Sequence, residues 1–175
     1  NPHVRILVLN EYFPLSENEI KIIEQWWNEK KGRTLLYFGV GNGYSADETN
    51  PGEAHQTPEV LRLFGIDIHH FVEQYPTDMG LILKYKGKNP LDDFLINNKL
   101  LTTQKIGQFF FNNRNGKVLY QDTQSKLPVV IETINSKNNR ALFLNFSLMN
   151  TSTRDIIRPA LDYLQMPNKT ESIIS

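Results

Sequence analysis

The sequence predicts an α/β fold with one layered sheet, on three observations. An apolar, β-branched-rich run occupies 4–9, a helix-start signal at Ser16 leads into an apolar stripe, and a second apolar run occupies 33–38. The return from helix to second strand leaves one or two residues, so strand, helix and strand form a unit with a right-handed crossover.

Each element has its own signal. The run Val4-Arg5-Ile6-Leu7-Val8-Leu9 stops at polar Asn10-Glu11 and reads as a parallel strand buried on both faces. Ser16-Glu17-Asn18-Glu19 has the spacing of a capping box. Ile20, Ile23, Trp26 and Trp27 come next at helical intervals, and Lys30-Lys31-Gly32 supplies end cations and a left-handed stop, ending the helix at Lys31. Between Gly39 and Pro58 the hydrophobic rhythm disappears, which predicts a long surface loop off a strand C-terminus. Thr57-Pro58-Glu59 reads as a helix start, and Val60, Leu61, Leu63 and Phe64 lead to Gly65 as its stop. From 66 to 146 the signals are those of strands, at 79–85, 106–111, 117–120, 129–134 and 141–146, with turn-like 112–116 and 136–139 between pairs. At least the last pair is predicted to be an antiparallel hairpin. Thr151-Ser152-Thr153 offers N-caps for a final helix carrying Ile156, Ile157, Leu161 and Leu164, with Pro159 tolerable in its first turn. The domain organisation predicted is one domain over 1–166 and a frayed tail over 167–175.

Composition narrows the function. Nineteen Lys+Arg balance nineteen Asp+Glu, so the chain lacks the electrostatic footprint of nucleic-acid or anionic-membrane binding, and neither partner is expected. A hydrophobic fraction of 39% fits a packed globule and argues against disorder. The absence of cysteine excludes a disulfide scaffold, a thiolate metal site and a cysteine nucleophile. No apolar run approaches membrane-spanning length. Asn1-Pro2-His3 has neither an initiator Met nor a signal-peptide layout, so the chain reads as cut from something larger.

Candidate sites are few. Gly41 and Gly43, with Ala46, match a relaxed dinucleotide fingerprint. That fingerprint opens a helix onto the pyrophosphate, whereas acidic, helix-breaking 47–52 comes next here, so the glycines read as a sharp turn. No P-loop sequence occurs, and no cofactor is implied. Asp47, Glu48, Glu53 and His55 crowd the same loop and offer oxygen and imidazole donors for a divalent ion, but their spacing fits no specific ligand set and a solvated loop is the favoured reading. His69-His70 alternate faces on an extended segment and chelate poorly. No serine lies in a nucleophile elbow, and Asp92-Asp93 reads as an acidic pair in a loop. Trp26, Trp27, Tyr12 and Phe13 are aromatic candidates for an interface. Only one of the adjacent tryptophans can point squarely inward. The three Asn-x-Ser/Thr tripeptides are unsurprising in an Asn-rich chain and support no secretory inference.

Three stretches together carry a resemblance. Leu15 to Trp27 followed by Lys31-Gly32-Arg33-Thr34-Leu35-Leu36 resembles the helix and Gly-Gly-Thr-Leu strand of class I glutamine amidotransferase-like domains. Asp47-Glu48, Pro51-Gly52, the 58–63 helix and Phe64-Gly65-Ile66 are similar to the next passage of the β-galactosidase trimerisation domain, a non-catalytic branch of that superfamily. Leu127-Pro128-Val129-Val130, a polar turn, 140–146 and a final helix resemble the same domain's close. The resemblance implies a flavodoxin-like three-layer sheet, mainly parallel with an antiparallel C-terminal hairpin. Active members place a cysteine nucleophile on a strand-to-helix elbow, so this chain, lacking cysteine, is expected not to be an enzyme. Family members also carry a strand-helix unit ahead of the strand at Val4; here it is truncated, missing, or supplied by another part of a parent protein.

The function expected is a non-catalytic accessory or oligomerisation domain of the kind attached to glycoside hydrolases. Its partners are other domains or subunits of the parent, a second copy of the chain among them. The alternative is a small-ligand or sugar-binding domain using the Gly39–His55 loop, with or without a divalent metal. A third reading, a cysteine-free hydrolase, requires a compact cluster of Ser or Glu with His and Asp.

Overall fold

Two orphan amides decide where the first helix starts. In the computed structural model, which describes residues 4–10, 15–39, 44–46, 54–56, 59–70, 77–78, 82–84, 88–96, 105–106, 110–113, 116–124, 126–146 and 155–167, Ser16 Oγ accepts from the Glu19 N–H at 3.3 Å. The Glu19 carboxylate in turn accepts from the Ser16 N–H at 2.8 Å. This capping box opens α1 (Glu17–Glu29), which connects β1 (Ile6–Asn10) to β2 (Thr34–Phe38). β1 and β2 are parallel, Ile6 opposite Thr34 and Asn10 opposite Phe38. Gly32 makes the return at φ +81°, a conformation that strains any residue with a Cβ.

The chain continues through β3 (Tyr44–Ala46), β4 (Ala54–Gln56), α2 (Glu59–Arg62), β5 (Ile66–His70), β6 (Thr77–Asp78), β7 (Ile82–Lys84) and α3 (Asp92–Leu95). It closes with β8 (Lys105–Ile106), β9 (Phe110–Asn113), β10 (Lys117–Asp122), β11 (Pro128–Ile134), β12 (Arg140–Leu144) and α4 (Ile157–Gln165). Pro159 falls in the first turn of α4, where its missing N–H costs nothing.

The main sheet runs β1-β2-β12-β11-β10-β7. β1, β2 and β12 are mutually parallel, while β12–β11, β11–β10 and β10–β7 are antiparallel. The expected mainly parallel sheet is therefore a mixed one, parallel only at the β1 end. The predicted C-terminal hairpin is present as β11–β12, whose turn places Asn138 at φ +62° and is too short for a crossover.

Helices cover both faces. Leu35 and Tyr37 of β2, Ile131, Ala141 and Phe143 pack with Ile20 and Trp27 of α1 and with Val60, Leu61, Leu63 and Phe64 around α2. On the other face Leu36, Phe38, Val130, Leu142 and Leu144 pack with α3 and with Ile156, Ala160, Tyr163 and Leu164 of the α4 region. The alternation of parity follows from the pleat. It breaks at β10, where a register shift between Val118 and Tyr120 puts both Leu119 and Tyr120 in the α3/α4 cluster, as a bulge does.

Three further expectations change. Among the described residues β1 ends the sheet, and it is not buried on both faces: Leu7 and Leu9 pack toward α1, but Val8 is 48% exposed. The loop after β2 contains the β3–β4 hairpin. The turn-like 112–116 joins strands of different sheets, since β9 pairs with β5 while β10 pairs with β11 and β7.

Candidate functional site

The ligand-loop residues come from one stretch, but only His55 lies among the described residues. β3 and β4 pair antiparallel with Ser45 opposite His55, so the His55 backbone sits at the centre of a three-residue ladder. Gly41, Gly43, Asp47, Glu48 and Glu53 lie outside the described residues, as do Tyr12 and Phe13. Among the described residues no group of three or more His, Asp or Glu is placed to hold a metal.

The two tryptophans separate by helix geometry. Trp27 points into the α1 core and is 5% exposed, while Trp26 is partly buried at its margin. The Arg33 guanidinium lies 5.1 Å from the Trp26 ring centroid, within cation–π range. Its Nη1 donates to the Trp26 carbonyl and, at 2.9 Å, to Glu29.

Three buried polar clusters brace the helices against the sheet. The Asn139 amide donates to the carbonyls of Trp27 and Lys30, and its oxygen accepts from the Arg33 N–H at 3.2 Å. This satisfies carbonyls left open at the end of α1. Asn135 adds a bond to the Trp27 carbonyl at 3.1 Å. On the other face Arg140 donates to Glu132 from Nε (3.1 Å) and Nη2 (2.7 Å), and from Nη1 to the carbonyls of Tyr163 (3.0 Å) and Met166 (2.7 Å). The Tyr163 hydroxyl donates to the same Glu132 oxygen at 2.8 Å. The third cluster ties α3 down: the Tyr120 hydroxyl reaches Asp92 at 2.7 Å and Asn89 at 3.0 Å. Asp92 thus opens a helix as a buried partner and is not a loop carboxylate.

Burial raises both tyrosine pKa values well above the usual phenol range. For Tyr120 desolvation leads and the Asp92 hydrogen bond adds to it. For Tyr163 desolvation leads and the Glu132 charge comes second. Both hydroxyls are therefore held protonated as donors. Arg140, Glu132 and Tyr163 are each at most 5% exposed, and the bonds among them and to the end of α4 hold that helix against the sheet. Sequence reasoning passed over Glu132 and Arg140, although a carboxylate inside the apolar run 129–134 was the signal.

The described surface offers an edge. β1 has no strand on its outer side among the described residues, and Val4 (37%), just before it, and Val8 (48%), within it, are exposed apolar side chains. The outer edge of such a strand is a template for an added strand.

No family model matches the sequence, and no curated protein matches it. Among solved structures the chain is similar to a β-galactosidase from Bacillus circulans sp. alkalophilus, with TM-score 0.55 and 12% identity over 91% of this chain and 22% of that one. It is also similar to a GH42 β-galactosidase from G. stearothermophilus, with TM-score 0.54 and 15% identity over 94% of this chain and 22% of that one. An exo-β-1,4-mannosidase from Opitutaceae bacterium strain TAV5 matches with TM-score 0.51 and 12% identity over 93% of this chain and 24% of that one. At such identities the likeness is one of fold. Almost the whole chain spans less than a quarter of each of these glycoside hydrolases, and it has the fold of a β-galactosidase-related domain.

Proposed function

We propose that the chain is a non-catalytic accessory domain of a glycoside hydrolase, acting by contact with other domains or subunits through the open β1 side of its sheet. The observation that carries this reading is the asymmetry of coverage: more than nine-tenths of this chain corresponds to about 22% of β-galactosidase chains, the proportion of a small attached domain. The scaffold is read as a flavodoxin-like, amidotransferase-related layer that works without a cysteine nucleophile. Supporting this are the parallel β1-α1-β2 unit, the third parallel strand β12, helices on both faces and the absence of cysteine.

Sedimentation equilibrium tests the contact role. Self-association of the chain, weakened by Val8→Lys, is the expected result, because a charge on a free edge opposes strand addition. A monomer at all concentrations that shows no exposed apolar patch by dye binding overturns it. Turnover of an aryl glycoside or an amide, at a rate that tracks a point change in a polar residue of this chain, overturns the non-catalytic part.

A further inference from the structure

A cavity of about 530 Å³ opens where β1, β2 and β12 begin, at the opposite end of the parallel strands from the loop after β2. Arg5, Arg33 and Arg140 line it together with Asn138, while Ile6 and Leu164 supply apolar wall. Among the described residues no acidic side chain lines it. The carboxylates that balance two of the arginines, Glu29 and Glu132, sit behind them.

The three guanidiniums differ in what they have left to give. Arg140 has committed Nε, Nη1 and Nη2 to Glu132 and to the carbonyls ending α4. Arg33 is 6% exposed, and its Nη1 is committed to Trp26 and Glu29. A guanidinium carries five N–H donors. The remaining donors of Arg33, on Nε and Nη2, have no acceptor among the described residues, and neither nitrogen is sealed from solvent. Arg5, exposed at the rim, has no ion pair among the described residues. Its carbonyl is held by the Thr34 N–H at 2.8 Å, which fixes where its side chain leaves the strand.

A buried guanidinium with unused coplanar donors, beside a second cation that has no counter-ion among the described residues, matches a group that presents two negatively charged oxygens side by side. The geometry points to a binding site for a small oxyanion-bearing molecule, a carboxylate or phosphate of roughly monosaccharide size, held by Arg33 at the floor and Arg5 at the rim. The overall charge of zero does not oppose this, because at ordinary ionic strength charges act over only about 10 Å or less. The site is independent of the contact role, and the β1 edge plays no part in its test.

Isothermal titration calorimetry of the chain at low ionic strength, with inorganic phosphate, glucuronate and neutral glucose as probes, tests the site. Saturable millimolar binding of at least one oxyanion is expected, with none of glucose, and amide NMR shifts should centre on Gly32, Arg33 and Asn138. Phosphate binding alone identifies a phosphate source, and glucuronate binding alone a carboxylate source; both support the site. Arg5→Ala, at an exposed position that leaves folding intact, should weaken binding about tenfold through loss of a charge-assisted contact, and Arg5→Glu should abolish it. The assignment is overturned by no saturable binding of either oxyanion, by affinities that ignore both Arg5 variants, or by glucose binding as tightly as glucuronate.

Discussion

Replacing Arg140 by methionine isolates the interaction that anchors α4. The methionine keeps most of the aliphatic stem but removes two charge-assisted bonds to Glu132, at 2.7 and 3.1 Å, and two bonds to the carbonyls of Tyr163 and Met166, at 3.0 and 2.7 Å. It also removes the cation lying 4.5 Å from the Tyr163 ring centroid. Glu132 is 3% exposed, so a charge that water cannot reach loses its counter-ion, which costs about 3–5 kcal/mol. Set against a total stability of about 5–15 kcal/mol for a domain, that leaves the variant marginal. Replacing both partners, Arg140→Met with Glu132→Leu, exchanges an ion pair for apolar groups. It should recover at least about half of the loss, since buried pairs and well-packed hydrophobic replacements are often close in free energy. Urea unfolding followed by the fluorescence of Trp26 and Trp27 gives both numbers, provided the slope of the transition is unchanged. The reasoning fails if the single variant costs under about 1 kcal/mol, or if the double variant costs as much as the two single changes added together.

The same polar clusters lead to two other outcomes. Tyr120 and Tyr163 keep their protons in the fold at pH values where unfolded tyrosine ionises, so their contribution is complete below pH about 10 and falls as pH rises further, by about 1.4 kcal/mol per pH unit for each. Urea midpoints measured across that range should drop, and the variant Tyr120→Phe with Tyr163→Phe should show a shallower decline. Asn139→Ala removes the donors for the Trp27 and Lys30 carbonyls and the acceptor for the Arg33 N–H. Thermal unfolding should report a loss of about 2–4 kcal/mol, as several buried groups lose partners together; a loss within error would mean that water replaces the amide.

The β1-α1-β2 unit was readable because its signals are local. A serine and a glutamate three apart fixed the start of α1, a glycine with positive φ fixed its return, and the strands are short apolar runs. The β11–β12 hairpin was readable for the same reason. Pairing between distant segments was not. That β12 lies beside β2, or that β10 meets β7, depends on which faces bury most surface together, and residue order carries little of that. The edge position of β1 was misread because an apolar run looks alike whether one or two strands flank it. Asp92 was misread because its partner, Tyr120, is twenty-eight residues away. The cavity at the strand starts went unseen, since Arg5, Arg33 and Arg140 become neighbours only through the parallel register.

The turn between β11 and β12 links the two helical layers. Asn135 and Asn139 grip the end of α1, and Arg140, the very next residue, grips the end of α4 on the opposite side of the sheet. Fluctuations that unseat this turn therefore release both layers in one event. Amide protons near the two helix C-termini, far apart in sequence, belong to one cooperative unit and should exchange with solvent at a common opening free energy.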